Sequence, residues 1–168
     1  MRASNVPAND AKVFSVLTVN PAVTLRASSF ARASFVIEKP WAIISLEAQD
    51  RHLRRKLLTL ANGAEILVDL DKSVRLEDGD CLVLEDGRLV QIAALPEELM
   101  EVRGRDPLHL SQLAWHIGNR HLEAQIEVSR ILIRPDHVIG RMLDGLGATV
   151  KTAHEKFAPV HGAYAHAH

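Results

Sequence analysis

Two hydrophobic rhythms divide the chain. From Phe35 to Leu95 apolar residues come in short runs broken by turn signals: Trp41–Leu46, Leu57–Leu60, Glu65–Leu70, Cys81–Leu84 and Leu89–Ala93. Asn62-Gly63, between the second and third runs, is a strong hairpin signal, because both residues accept the left-handed backbone of a two-residue turn. Leu76-Glu77-Asp78-Gly79 and Leu84-Glu85-Asp86-Gly87 are near-repeats, and each Asp-Gly marks a further turn. Strands this short, at this spacing, predict a small antiparallel meander or barrel. Cys81 alternates with Val83, so it is expected to be a buried small hydrophobe rather than a reactive thiol.

Downstream the period changes. Leu99–Val102 reads as a strand, and Gly104–Pro107 turns into a helix with Asp106 as its cap and Pro107 as its first residue. Leu110, Leu113, Ala114 and Ile117 form one apolar stripe at helical spacing, while Leu108 and Trp115 project from nearly the opposite side. A short helix with two apolar sides packs on two surfaces, its own core and a partner. Gly118-Asn119 predicts its stop. Two strands follow, Ala124–Val128 and Arg130–Ile133. A second amphipathic helix spans Asp136–Leu146, with Ile139, Leu143 and Leu146 inward and Gly147 as its stop; Ala148–Thr152 is a last strand. The order β-α-β-β-α-β is the ferredoxin-like split motif.

The expected fold class is therefore α+β: a small N-terminal antiparallel β domain over 35–97, then a ferredoxin-like domain over 98–152. Residues 1–34 are rich in Ala, Ser and Val, with Arg2, Lys12, Arg26 and Arg32 against the single acid Asp10. That pattern resembles a targeting peptide only weakly, because Asn20-Pro21 follows the apolar part Val13–Val19 and interrupts it. The expectation is a disordered or loosely attached extension. Residues 153–168 are expected to be a flexible tail.

Composition narrows the function. Of 168 residues, 47% are hydrophobic and 24% charged, ordinary for a soluble globular protein, and with 4% aromatic the cores must be aliphatic. A net charge of −1 argues against nucleic acid as a partner. The single cysteine excludes an internal disulfide and a thiolate-cluster metal site. No apolar run approaches the length of a membrane span. Arg51 and the basic residues to Lys56 read as a solvated strand or turn edge, with a docking patch for an acidic partner as the lesser alternative. No nucleophile elbow or phosphate loop is present, and His154-Glu155 lacks the second histidine of a zincin motif, since position 158 is Ala158. An enzyme is not expected.

The histidines are the anomaly. One of nine precedes residue 109 and eight lie from there on. Neutral imidazole suits nickel, copper and zinc. His161, His166 and His168 would be ligands on a mobile arm. His121, past the helix stop and beside the suspected partner surface, can meet its symmetry mate across a two-fold axis, the commonest oligomeric arrangement. His116 borders the apolar stripes, where packing is as good a role as ligation. His137 stands at a helix start, where the dipole favours the neutral ring. His109 is expected to be structural, and His154 has the weakest claim.

The stretch LAWHIGNRHLEAQI, followed by RILIRPDHVIGRMLDGLGATV, resembles the C-terminal domain of the UreE urease accessory proteins, which are nickel metallochaperones. The likeness extends upstream and runs from about Trp41 to Val150. It implies the same fold, an N-terminal peptide-binding-like module, and a cytoplasmic homodimer. It also implies that His121, as the histidine of GNRH, is a dimer-axis metal ligand. His116 and His137 match further family histidines, the latter implicated in metal binding in some members. By this likeness Ni2+ would be the cargo, with Zn2+ or Cu2+ also able to bind. The partners would be a urease GTPase accessory protein and the apo-urease assembly complex. The histidine tail is shorter than in many members, and Pro135 stands where some carry another histidine. A zinc- or copper-handling protein of the same architecture, and an adaptor whose histidines are incidental, are the alternatives.

Overall fold

A computed structural model describes residues 24–160. Residues 1–23 of the expected extension, and His161, His166 and His168 of the expected tail, lie outside the described residues. Among the described residues ten strands form two sheets, accompanied by two α-helices. The first sheet contains β1 (Leu25–Ala31), β2 (Ala42–Leu46), β3 (His52–Thr59), β4 (Glu65–Arg75), β5 (Cys81–Leu84) and β6 (Leu89–Ala94) in the order β2-β6-β5-β1-β4-β3. Glycines sit where the turns require them: Gly63 and Gly87 in the β3–β4 and β5–β6 hairpins and Gly79 in the β4–β5 connection all have φ between +82° and +90°. Inward residues such as Ile66, Val68, Leu82, Val90 and Ile92 are fully buried in one aliphatic core.

Two features of this sheet differ from the sequence reading. β1 lies in the middle of the sheet, parallel to β4 and antiparallel to β5, so the packed fold starts within the stretch expected to be a loose extension. The reason is visible in LRASSFA: Ala27 is its only buried residue, so it shows no alternation that would betray a strand. β2 also pairs with β6 in parallel, so the sheet is not a pure meander.

The second sheet, β10-β7-β9-β8, contains β7 (Pro96–Arg103), β8 (Ala124–Ile126), β9 (Ile131–Ile133) and β10 (Thr149–Lys156), all antiparallel. With α1 (Pro107–Gly118) and α2 (His137–Gly145) this is the expected ferredoxin-like arrangement. Asp106 accepts from the His109 amide at 2.8 Å and Asp136 from those of Val138 and Ile139, so both helix starts are capped as read. Leu110, Leu113, Ile117 and Leu143 fill the core beneath the helices with Val102, Ile131 and Ile133.

A third small core joins the two halves: Ala48 after β2, Leu99 and Leu132 from the second sheet, and Phe157, all buried. Phe157 follows β10 directly, so the tail expected from residue 153 begins as strand and then as a buried plug. Arg51, read as part of a solvated basic run, is 1% exposed. Its guanidinium donates to Leu76 O at 3.2 Å, to Glu77 Oε2 and to Phe157 O. Ala48 N donates to Glu97 Oε1 at 2.9 Å, and Lys156 pairs with Asp78 at 2.7 Å across the same joint.

Candidate metal centre

The end of α1 builds the site. Ile117 O accepts from the Arg120 amide and Gly118 O from the His121 amide at 2.9 Å, so the chain leaves the helix through two tight turns. Asn119 keeps right-handed backbone; the left-handed residue is His121, with φ 57°. Among the described residues it is the only non-glycine with positive φ. Histidine tolerates this region better than most residues, yet the conformation still costs on the order of 1 kcal/mol, and such costs concentrate at functional positions. The result is an exposed imidazole at the tip of a connection.

Three residues later Ala124 enters β8, where it pairs with Ile133, and His137 opens α2 four residues beyond Ile133. The antiparallel pairing brings His121 and His137 to the same end of the domain, both exposed. His116 lies one turn back on α1, half-buried, with its ring edge-on to Trp115 at 5.1 Å. It faces a cleft of about 400 Å³ between α1 and the end of α2, also lined by Arg105, His109, Gln112 and Leu146. His109 has a different role. Its Nδ1 accepts from the Arg105 amide at 3.2 Å, so its Nε2 bears the proton and donates to Leu146 O at 3.0 Å. It ties the two helices together, and its geometry supports the structural reading.

Glu123 anchors the loop that carries His121. Arg134 donates to it at 2.6 Å, and Arg75, from β4 of the other domain, donates to its second oxygen. Burial works to raise the pKa of this carboxyl, but the Arg75 and Arg134 hydrogen bonds outweigh it and the net shift is downward. Arg75 also reaches Pro159 O at 3.4 Å. On the far side of the second sheet Arg130 binds Glu127, Glu155 and Glu101 at once. With Arg103, this brings Glu101 down to about 2. Cys81 is fully buried, and burial pushes its thiol up, as expected of a core residue.

Segment 157–160 ends beside the His121 loop. Ala158 N donates to Gln125 Oε1 at 2.7 Å, and Val160 N donates to Ala124 O at 2.9 Å. Sequence reasoning missed Arg75, Glu123 and Gln125, because none carries a local signal: Gln125 meets Ala158 only across the folded second domain, and Arg75 meets Glu123 only once the two domains dock. Among the described residues no three of His, Cys, Asp and Glu converge closely enough to hold an ion. An exposed apolar stripe, with Leu108 at 70% and Trp115 at 65% exposure, runs along the outward side of α1. No helix among the described residues is long and apolar enough to cross a membrane.

Comparison with known proteins agrees with this architecture. Residues 31–95 match the family model for the UreE urease accessory protein, N-terminal domain, and residues 97–168 match that for its C-terminal domain. Urease accessory protein UreE 1 of Brucella suis is 56% identical over 144 residues, covering 85% of this chain and 89% of that protein. The UreE protein of Agrobacterium fabrum is 50% identical over 144 residues, covering 86% and 89%. That of Mesorhizobium japonicum is 58% identical over 123 residues, covering 73% and 63%.

Proposed function

The chain belongs to the UreE family of urease accessory proteins, and from that membership we propose that it carries Ni2+ as a homodimer and delivers it for assembly of the urease active site. It is an accessory protein of urease maturation, not an enzyme, and works with the urease assembly machinery. The finer reading concerns the ion and the residues that hold it.

One observation supports that reading: His121 stands exposed in left-handed backbone, and Val160, just before the histidine tail, is hydrogen-bonded to Ala124 at the start of the strand that follows the His121 loop. Only Leu122 and Glu123 separate His121 from Ala124, so Val160, bonded to Ala124, lies within about 15 Å of His121. Two imidazoles about 2 Å from one ion can span most of that distance. No single chain supplies three converging ligands among its described residues, so a site on His121 draws the remainder from a second copy and from the tail. The apolar stripe of Leu108 and Trp115 supplies the contact surface for that copy.

In the mechanism, His161, His166 and His168 collect the ion and the paired His121 side chains hold it between subunits. His137 shares the His121 end of the domain and is the next candidate ligand; His116 packs on Trp115 and contributes at the border of the interface. Neutral and few ligands let the ion leave quickly to a GTPase partner of the assembly complex, in the cytoplasm. Zn2+ and Cu2+ suit the same donors, and intrinsic affinity favours Cu2+.

A nickel titration with solution mass at each point tests this. His121→Ala is expected to remove the tightest site from a folded protein, and deletion of residues 161–168 to lower affinity or stoichiometry while leaving a dimer. An unchanged tightest affinity in His121→Ala refutes the assignment.

A further inference from the structure

We propose that the free edge of β2 is a self-association surface: it pairs antiparallel with β2 of a second copy of this chain, about a two-fold axis at Ile43. The contact lies on the N-terminal domain, apart from the outward stripe of α1, and does not depend on which metal the protein carries.

The first sheet ends in two edges that differ in kind. β3 is guarded. Arg54, Arg55 and Lys56 stand exposed in a row, and its register against β4 shifts between Leu53 and Arg55. Charge and irregularity of this sort keep edges from pairing. β2 has neither. Ala42–Leu46 reads AIISL, without a charge, and pairs with β6 in one unbroken register. Leu46 O accepts from Leu95 N, so by the alternation of a parallel ladder Ala42 and Ile44 also turn their backbone groups toward β6. Ile43 and Ser45 then present N–H and C=O outward, where no backbone partner meets them among the described residues. Ile43 is 56% exposed, beside a buried Ile44. An unguarded apolar edge of this kind is a template for another strand.

The strand and its flanks select a second copy as that strand. Antiparallel pairing about Ile43 sets Trp41 of each copy across from Ser45 of the other, large against small, and Ile43 against itself. Arg88 stacks 4.0 Å from the centre of the Trp41 ring and holds it in place. Trp41 N is already bound to Leu89 O, so the pair offers about four backbone hydrogen bonds. Carried past the strand ends, the same register brings Lys39 of each copy opposite Glu47 of the other, on the face of Ile43. Both are exposed, and neither has an ion-pair partner among the described residues. An unrelated strand has no reason to carry this complement, whereas a second copy supplies both charges, twice. So short a contact is weak, with a dissociation constant in the range of about 10–1000 μM. Combined with pairing through α1, it turns a dimer into a larger assembly.

The test measures mass by sedimentation against concentration in full-length, metal-free protein, from about 5 to 500 μM, with folding checked by circular dichroism. Trp115→Glu serves as the background, so that pairing through α1 does not mask the second contact, and wild type is run alongside. In that background mass is expected to rise from one copy toward two. Lys39→Glu and Glu47→Lys each set like charges across the axis, and each should weaken association on the order of fivefold. An equimolar mixture of the two restores every opposed pair and should recover the affinity. Ile43→Lys places two cations on the axis and should abolish association. Mass that stays flat, or association indifferent to Ile43→Lys and to both charge variants, overturns the proposal and leaves the edge to a strand of another protein. A mixture that associates no better than its components overturns the pairing about Ile43.

Discussion

Phe157 offers the sharpest check on how the two halves are joined. Its ring is fully buried against Ala48, Leu99 and Leu132, with Arg134 stacked 5.3 Å from its centre. Truncation to Ala removes on the order of 150 Å² of buried aromatic surface, about 4 kcal/mol at 25 cal/mol/Å². Large-to-small changes of this kind fall at about 3–5 kcal/mol once the cavity is included. The loss should not be spread evenly. Ala48 belongs to the first domain and Leu99, Leu132 and Phe157 to the second, so the ring couples two cores that each persist without it. Phe157→Ala should therefore split unfolding into two steps. Trp41 lies in the first domain and Trp115 in the second, so urea titrations of Trp41→Phe and Trp115→Phe backgrounds follow each domain separately. The expected result is coincident midpoints with Phe157 and separated midpoints without it. Coincident curves and a total loss below about 1 kcal/mol would falsify the joint described here.

Glu101 is held down to about 2 by Arg103 and Arg130. Its contribution is present above its ordinary value near 4.5 and lost as pH falls toward 2, so Glu101→Gln should destabilise at pH 7 by less than the linkage ceiling of about 3 kcal/mol and match wild type near pH 2 in acid-unfolding curves. His121→Gly should abolish the tightest metal site while raising the melting temperature, because glycine relieves the left-handed strain by roughly 1 kcal/mol; a lower melting temperature than His121→Ala would contradict that strain. Gly79→Ala should cost about 1–3 kcal/mol, since φ is +90° and the new Cβ would sit 3.2 Å from Ala33 Cβ; denaturant melts measure it. Trp115→Glu should leave a folded monomer by light scattering, and an intact dimer would remove the outward stripe of α1 from the interface.

Much of the fold was legible because its signals are local. Asn62-Gly63 and the two Asp-Gly pairs sit at turns that need positive φ. Asp106 and Asp136 cap helices because a carboxylate one residue ahead of a helix reaches its free amides. The GNRH stretch pointed to His121 and to the family, and belonging to that family establishes a urease accessory role.

What escaped were properties that depend on distant partners. β1 is strand only because β4 and β5 flank it, and LRASSFA carries no alternation of its own. Arg51 looks like any surface arginine until Phe157 O, Leu76 O and Glu77 surround it. The tail looked loose from residue 153 because a lone Phe157 among small residues shows no period, yet the joint between domains buries it. The left-handed turn at His121 involves no glycine, so no turn residue in the sequence announces it. Residue types and their short-range spacing thus specified the elements, their order and the candidate ligands. The relative placement of the two domains decided which arginines brace the candidate site, because a contact between residues 48 or 84 positions apart leaves no trace in either neighbourhood alone.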